Sequence, residues 1–377
     1  MEFRKTSRNF TNPAKSLQGR FDWVKFDFPL FIAILGLSVF SLLNLAGISG
    51  IESTFFQKQL TFFIIGAAIL LANPLIDYRI FKNYSLPSTI FFIASILLLI
   101  MTLQAAPVRG VTAWLHLPFG VSFETSEFAK LAMVLFLARY FSSRIYLNNI
   151  SAILVSGIYT FLVIFLVFLQ PDFGSAIILF LIWLGGLFLF GLTKRQVLIA
   201  ANFLIITVLI LGTFVLEPYQ KSRVTSFLVS SLGQGRESYN VLQSKIAIGS
   251  GGFWGLGLGS GSQAKFGILP EANTDFALAS LIEQFGLFAL IIILILYFVI
   301  LSRLFSIAVK ARDGFSKFFI FMFSVYFFSH VVINLGMNLG LVPVAGLPLP
   351  FISYGGSFLI SLMIGFSILE NIRIRNL

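Results

Sequence analysis

An aspartate beside an apolar helix is the first residue in this sequence whose type and position suit catalysis. Asp275 ends a polar segment at 270–275 and stands just before an apolar run at 277–302. A carboxylate at such a boundary can serve as a general base. However, Thr274 or Asn273 could cap the helix, and Asp275 could merely favour its N-terminal dipole. From the residues alone, the capping interpretation is favoured.

A second charged pair lies at the start of the apolar run at 128–143. Glu127 and Lys130 are three residues apart, so they can meet on one helix face. Buried pairs in membranes often line a functional cavity, and a structural pair at a helix end fits equally well. Further along, His330 and Asn334 are one turn apart and should face the interior. A lone histidine there is more often packed than catalytic.

The long polar segment at 217–276 carries cations that could bind a phosphate or pyrophosphate. They are Lys221, Arg223, Arg236, Lys245 and Lys265. An ordinary solvated loop would explain them as well. The same segment holds a run of glycines between 249 and 267, which resembles a phosphate-binding loop but lacks the Walker pattern. Close backbone packing is therefore the preferred interpretation of these glycines.

The chain that positions these residues has the composition of a membrane protein. Of its 377 residues, 58% are hydrophobic and only 11% are charged, whereas about 25% are charged in an average soluble protein. Its apolar runs predict about ten transmembrane helices. They lie at 29–48, 59–77, 86–104, 128–143, 151–169, 175–193, 197–216, 277–302, 318–338 and 353–370. Without cysteine or any metal-ligand spacing, the sequence offers neither disulfides nor an evident metal site.

Polar residues divide the long apolar stretch at 151–193. Pro171 and Asp172 would be poorly placed in the middle of a membrane, so a helix should end before them. A similar break is predicted at 191–195, where a glycine precedes two basic residues. These two positions define the ends of the sixth predicted span.

The distribution of charge predicts the orientation. Most of the 26 Lys and Arg residues fall on alternate connecting segments and at the two ends, so the positive-inside rule places both termini in the cytoplasm. The net charge of +11 is then a topology signal and a contact with anionic membrane lipids. Nucleic-acid binding is not needed to explain it.

The fold predicted is an all-α polytopic membrane protein. A cytoplasmic basic tail covers residues 1–25, and a single transmembrane domain covers 26–377. This domain includes an outer loop at about 217–276 between helices 7 and 8. Further elaborate outer segments lie at about 105–127 and 339–352, so the chemistry is expected to face outward.

Short motifs spread over most of the chain resemble the SEDS family (shape, elongation, division and sporulation), the RodA/FtsW peptidoglycan polymerases. The motifs are TSEFAK at 125–130, LQPDFGSA at 169–176, QSKIAIGSGG at 243–252, GLGSGSQ at 257–263, PE at 270–271, TDF at 274–276 and GLPLPFISYGGS at 346–357. Each motif is short, but their order and spacing are specific. The motif residues at 243–263 favour the RodA branch of the family.

The resemblance implies an inverting glycosyltransferase that polymerises lipid II on the outer face of the bacterial cytoplasmic membrane. Asp275 matches the family's catalytic aspartate, and Glu127 and Lys130 match a pair that lines the central cavity. The remaining substrate contacts are expected from Arg109, Trp114, Arg223, Lys245, Ser262, Gln263 and Thr274. A class B penicillin-binding protein is the partner that the resemblance implies.

In the implied reaction, Asp275 takes the proton of the acceptor's 4-hydroxyl. The oxygen attacks the anomeric carbon of the donor, and undecaprenyl pyrophosphate leaves. The leaving group would be stabilised by Arg223, Lys245, Lys130 or a divalent cation, Mg or Mn. Two other classes of function stay open: a transporter that flips lipid II, and a non-catalytic scaffold of a cell-wall synthesis complex.

Overall fold

The computed structural model describes residues 26–72, 77–106, 111–117, 121–144, 150–191 and 236–376, and these residues form helices and one β-hairpin. The helices are α1 (Phe28–Ser49), α2 (Thr54–Leu71), α3 (Arg79–Asn83), α4 (Ser85–Thr102), α5 (Thr125–Ser142), α6 (Ile150–Leu169), α7 (Phe173–Phe190), α8 (Arg236–Ser250), α9 (Ser262–Lys265), α10 (Ala277–Lys310), α11 (Gly314–Leu339) and α12 (Gly356–Asn376). The antiparallel hairpin pairs β1 (Trp114–Leu117) with β2 (Val121–Glu124).

The all-α polytopic prediction is confirmed. Within the described ranges, eight helices are long and apolar enough to cross a membrane, namely α1, α2, α4, α6, α7, α10, α11 and α12. The span predicted at 197–216 and the basic tail at 1–25 lie outside the described residues, so the count of ten stays a prediction. The loop predicted at 217–276 is, from residue 236 onward, folded into α8, α9 and connecting turns.

Short-range signals set the boundaries of α6 and α7 where the sequence predicts them. Helix α6 ends at Leu169, and Asp172 caps α7 by accepting a hydrogen bond from the Ser175 N–H at 3.0 Å. At the other end, Gly191 adopts a left-handed φ of 83°, which ends the helix. The division of the apolar stretch at 151–193 is thus confirmed.

Helix α5 lies at the centre of the bundle, in contact with α4, α6, α7, α11 and α12. It is not among the eight apolar helices, and it carries Glu127, Lys130 and Arg139 within eighteen residues. Most of its side chains are nevertheless buried, which is possible because the surrounding helices separate it from lipid. A helix that would be expensive in hydrocarbon is stable here because its neighbours supply polar partners.

Helix α10 breaks at Gly286, whose φ of 75° is not helical. The glycine-rich segment packs against this break and supplies the hydrogen bonds that the helix loses. The N–H of Leu287 donates to the carbonyl of Gly252 at 3.0 Å, and the N–H of Gly257 donates to the carbonyl of Gln284 at 2.9 Å. A side chain at Gly255 would overlap the α10 backbone. The preferred interpretation of these glycines, close backbone packing, is confirmed.

A charge cluster joins three helices at the end of the bundle opposite the start of α10. Asp27 is 1% exposed, caps α1 and accepts a hydrogen bond from Arg303 at 2.9 Å. Arg373 on α12 lies 3.5 Å from the same carboxylate and 3.3 Å from Glu370. The Glu370 carboxylate in turn accepts the N–H of Asp27 at 2.8 Å. These contacts fix the ends of α1, α10 and α12 relative to one another.

We expect Asp27→Asn to lower the free energy of unfolding by about 2 kcal/mol, since it leaves Arg303 and Arg373 without their shared carboxylate. The amide can still cap α1, so the variant tests the loss of the negative charge alone. Thermal unfolding of the purified protein in detergent measures the loss.

The matched control is Asp313→Asn, which changes the N-cap of α11 in the same way. Asp313 pairs at 3.5 Å with Lys82, whose side chain is 36% exposed, so we expect a loss below about 1 kcal/mol. Equal losses in the two variants would contradict a special role for the Asp27 cluster.

Candidate active site

Asp275 lies in the turn that leads into α10 and keeps partial exposure to solvent. Its backbone carbonyl accepts hydrogen bonds from the side-chain amides of Asn334 at 3.0 Å and Asn338 at 3.1 Å. The position that a Gly346 Cβ would take is 3.9 Å from a carboxylate oxygen of Asp275. The turn is therefore fixed through its backbone, while its carboxylate faces the loop that contains Gly346.

The described contacts give no capping hydrogen bond to Thr274 or Asn273, the two caps predicted from the sequence. Helix α10 has Phe276 at its N-cap, which makes no side-chain capping hydrogen bond, and the Ala279 N–H of the first turn donates to the Asn338 side-chain oxygen at 3.2 Å. The Thr274 hydroxyl instead donates to Glu271 at 3.0 Å, and the Asn273 Oδ1 is buried without a hydrogen-bond donor. Favourable interaction of Asp275 with the helix dipole remains compatible with its position.

The loop between α11 and α12 is fastened to the same turn. Asn334 donates to the carbonyl of Leu347 at 2.8 Å as well as to Asp275. The Ser353 hydroxyl donates to the carbonyl of Thr274 at 2.5 Å, and the Tyr354 N–H donates to the neighbouring carbonyl of residue 273 at 2.8 Å. The proline-rich loop and the Asp275 turn thus form one unit.

Glu127 and Lys130 form a buried ion pair on the first turns of α5. Their side chains are at most 1% exposed, and Lys130 Nζ lies 2.6 Å from Glu127 Oε1. The second Glu127 oxygen accepts a hydrogen bond from the Tyr326 hydroxyl at 3.1 Å. Lys130 also contacts Ser175 Oγ and His330 Nε2, each at 3.3 Å. Its three N–H groups are all used, so the ammonium is fully compensated inside the bundle.

His330 connects this pair to the loop that holds Asp275. Its Nδ1 lies 3.2 Å from the carbonyl of Pro348. A carbonyl only accepts, so Nδ1 carries the proton and Nε2 accepts from the Lys130 ammonium. His330 is buried, as the sequence predicts, but it also bridges Lys130 to a loop that contacts the Asp275 turn.

The β-hairpin places a further carboxylate next to this pair. Glu124 is opposite Trp114 in the hairpin register and immediately precedes α5. Burial of its carboxyl, followed by the negative charges of Glu127 and Asp172, raises the pKa of Glu124 to about 8. Its side chain keeps partial exposure to solvent. Glu124 is therefore largely protonated at neutral pH.

Two acceptors on α10 hold the glycine-rich segment near the candidate site. Glu283 is buried, and its carboxylate accepts the N–H of Gln263 at 2.8 Å and that of Ala264 at 3.2 Å. The Gln284 side chain accepts the N–H of Gly259 at 3.0 Å. These bonds place α9 beside the first turns of α10. The Gln263 Oε1 is buried without a donor in this arrangement.

The predicted substrate contacts fall into two groups. One connected site contains Asp275, Thr274, Glu127 and Lys130, and the adjoining hairpin carries Trp114. Helices α9 and α8 carry the second group, Ser262, Gln263 and Lys245. Ser262 and Lys245 are exposed. Arg109 and Arg223 lie outside the described residues. Among the residues described, no cluster of His, Cys, Asp and Glu could hold a metal ion.

Sequence reasoning missed Tyr326 and Ser175 as partners of the buried pair. Ser175 stands within the motif at 169–176, so its presence near the site could have been predicted from the sequence. Tyr326 is 199 residues from Glu127, and only the packing of α11 against α5 brings the two together. No local pattern marks that contact.

We expect Glu127→Gln to lower the free energy of unfolding by about 3–5 kcal/mol, because it leaves the Lys130 ammonium buried without a counter-ion. The double variant Glu127→Gln/Lys130→Met should recover most of that loss. Denaturation of the single and double variants in detergent measures the coupling. A double variant less stable than either single variant would contradict this account.

The chain matches a known family and its relatives over nearly its whole length. The profile of the FtsW/RodA/SpoVE family, described as cell cycle proteins, matches residues 23–376. The peptidoglycan glycosyltransferase MrdB of Escherichia coli K12 is 34% identical over 351 residues, which cover 93% of this chain and 94% of that protein. The probable peptidoglycan glycosyltransferase FtsW of Trichlorobacter lovleyi is 30% identical over 371 residues, which cover 94% and 95%.

A solved structure shares the fold. It is described as "Structural coordination of polymerization and crosslinking by a peptidoglycan synthase complex". One of its chains superposes with a TM-score of 0.77 and 24% identity, covering 94% of this chain and 99% of that chain. The helix arrangement around α5 and α10 is therefore one that an experimental structure also contains.

Proposed function

Because this chain belongs to the FtsW/RodA/SpoVE family of cell cycle proteins, we propose that it is a peptidoglycan glycosyltransferase that polymerises lipid II into glycan strands. Its relative MrdB is described as a peptidoglycan glycosyltransferase, and its relative FtsW as a probable one. The motif residues at 243–263 favour the RodA branch and a role in cell elongation.

The turn at Asp275 is the observation that carries the proposal. Asn334 and Asn338 hold its backbone, and its carboxylate faces the loop that contains Gly346. A carboxylate on a fixed turn, partly open to solvent, is suited to meet a substrate hydroxyl. Asp275 is the general base in the proposed reaction.

The proposed chemistry is a single inverting displacement. Asp275 takes the proton of the acceptor's 4-hydroxyl as that oxygen attacks the anomeric carbon of the donor. The bond to the pyrophosphate breaks, and undecaprenyl pyrophosphate leaves with its electron pair. A positioned base contributes about 10²–10⁴-fold in rate.

Cations would stabilise the leaving pyrophosphate. Lys245 is exposed on α8 and can reach an anion directly, whereas Lys130 is enclosed by its three partners. Arg223 is a further proposed contact. Mg or Mn could bind with the pyrophosphate, although the described residues offer no cluster of metal ligands. Activity measured with EDTA and with each added ion tests that requirement.

The membrane arrangement follows from the same proposal. The chain is a multi-pass protein of the bacterial cytoplasmic membrane. We place both termini in the cytoplasm and the Asp275 end of the bundle on the outer face, where the lipid-linked sugar is available. A class B penicillin-binding protein is the proposed partner, and the similarity to a chain from a peptidoglycan synthase complex supports it.

We expect Asp275→Ala to abolish glycan synthesis while the protein stays folded, because it removes the proposed base while Asn334 and Asn338 still hold the backbone of the turn. Purified protein with a cognate class B penicillin-binding protein and labelled lipid II is run on a gel, where a glycan ladder reports polymerisation. Thermal unfolding confirms the fold of the variant.

Glu271→Gln is the matched control, since it removes a carboxylate from the same turn and keeps an acceptor for Thr274. It should still make glycan. Loss of the fold in Asp275→Ala would return Asp275 to a structural role. Lipid II translocation in vesicles without any ladder would favour a transporter, and full cellular function of Asp275→Ala would favour a scaffold.

A further inference from the structure

Asn338 on α11 contacts two parts of the candidate site through different atoms. Its side-chain amide holds the start of α10, where Nδ2 donates to the Asp275 carbonyl at 3.1 Å and Oδ1 accepts the Ala279 N–H at 3.2 Å. Its backbone carbonyl accepts the hydroxyl of Ser244 on α8 at 2.8 Å. Because the two contacts use different atoms of one residue, a substitution can remove either contact and leave the other.

These hydrogen bonds lie in a region that is closed to water. Asn338 and Ser244 are both 0% exposed. Ala247 of α8, Phe276 at the start of α10 and Met337 of α11 belong to one apolar cluster of buried residues beside them. A hydrogen bond away from water is electrostatically stronger than one in water. The start of α10, α8 and α11 are therefore held together at this point.

Ser244 directly precedes Lys245, the cation proposed to contact the leaving pyrophosphate. The Lys245 side chain lies across the end of α11, since a Cβ on Gly340 would be 2.8 Å from both its Cε and its Nζ. Gly340 has a left-handed φ of 70° and leaves the space that the lysine occupies. The ammonium is also at the negative end of the α11 dipole. The packing of α8 on α11 therefore decides where this exposed cation lies.

We propose that Asn338 is a positioning residue that keeps the proposed base, Asp275, and the proposed cation, Lys245, at a fixed separation, with Ser244 as its contact on α8. This role rests on the proposed glycosyltransferase function. In a single displacement the acceptor oxygen attacks one side of the anomeric carbon while the pyrophosphate leaves from the other. The base and the cation must then act in the same step, and a misplacement of about 1 Å can cost about 10²-fold in rate.

The first experiment measures anion binding without activity. Farnesyl pyrophosphate, a short and soluble polyprenyl pyrophosphate, is titrated by calorimetry into the full chain in lipid nanodiscs, with empty nanodiscs as the blank. We expect Lys245→Met to raise Kd about tenfold, because it removes a charged hydrogen-bond donor. Ser244→Ala should raise Kd about threefold, because α8 loses one hydrogen bond to α11.

Ser250→Ala is the matched control on the same helix. Its hydroxyl donates within α8 to the Ala247 carbonyl at 2.9 Å and makes no bond to Asn338 among the described contacts. We expect this variant to keep the Kd of the wild type. Thermal unfolding in detergent checks that every variant is folded.

A double variant distinguishes positioning of the cation from a general loosening of the protein. If Ser244 acts through Lys245, Ser244→Ala should cause no further rise in Kd when Lys245→Met is already present. A general loosening would weaken binding by the same factor in both backgrounds. The comparison of the two backgrounds therefore reports on the position of Lys245 itself.

The second experiment measures kcat and KM for lipid II polymerisation. Asn338→Ala removes the amide but keeps the backbone carbonyl that accepts from Ser244. We expect kcat to fall about tenfold or more, because the turn of Asp275 loses a support, while the Kd of farnesyl pyrophosphate is unchanged. Ser244→Ala should lower kcat/KM about threefold, with no further fall in the Lys245→Met background.

Three results would overturn the positioning role. They are a wild-type protein that does not bind farnesyl pyrophosphate, a loss in Ser244→Ala that keeps its full size in the Lys245→Met background, and a folded Asn338→Ala with unchanged kcat. If Asn338→Ala does not fold, the Ser244 and Lys245 variants decide the question. A wild type that makes no glycan but shows the expected binding in these variants would support the anchoring of α8 and overturn the proposed function alone.

Discussion

Burial of the Glu127–Lys130 pair is the constraint on which the rest of the bundle depends. Two charges removed from water are stable only if they are paired and their remaining donors and acceptors are satisfied. The described structure meets this condition with a hydroxyl from α7 and with a phenol and an imidazole from α11. Helix α5 must therefore lie between those helices, and the loop after α11 takes its position from the same contacts. The hairpin before α5 is placed by this arrangement as well.

The break at Gly286 is the second constraint, and it accounts for the glycine-rich segment. A helix interrupted near a membrane exposes backbone groups that need partners. Residues 252–257 supply these partners by approaching so closely that a side chain at Gly255 would not fit. The side chains of Glu283 and Gln284 then hold the turns that follow by accepting hydrogen bonds from the backbone N–H groups of those turns. The glycines thus pack against the broken helix through backbone bonds, as the preferred interpretation of close backbone packing predicts.

The parts of the fold that depend on neighbouring residues could be predicted from the sequence. Proline, aspartate and glycine marked the ends of α6 and α7, and the spacing of Glu127 and Lys130 predicted their pairing. The break at Gly286 could not be predicted, because an isolated glycine is common within transmembrane helices. The contacts of Tyr326 and His330 with the pair depend on packing between residues about 200 positions apart. The proposed role of Asp275 came from resemblance, since local chemistry alone favoured a cap.

The break also divides helix α10 into two parts with different surroundings. Its 34 residues would span about 51 Å as a straight helix, well beyond a hydrocarbon core of about 30 Å. Before Gly286, nearly every residue is enclosed by protein; from Leu287 onward, Leu287, Phe288, Ile291 and Leu294 turn outward. Changes in bilayer thickness therefore act on the outward-facing part. Asp275 is attached to the enclosed part, so the break shields the position of the proposed base from the lipid around it.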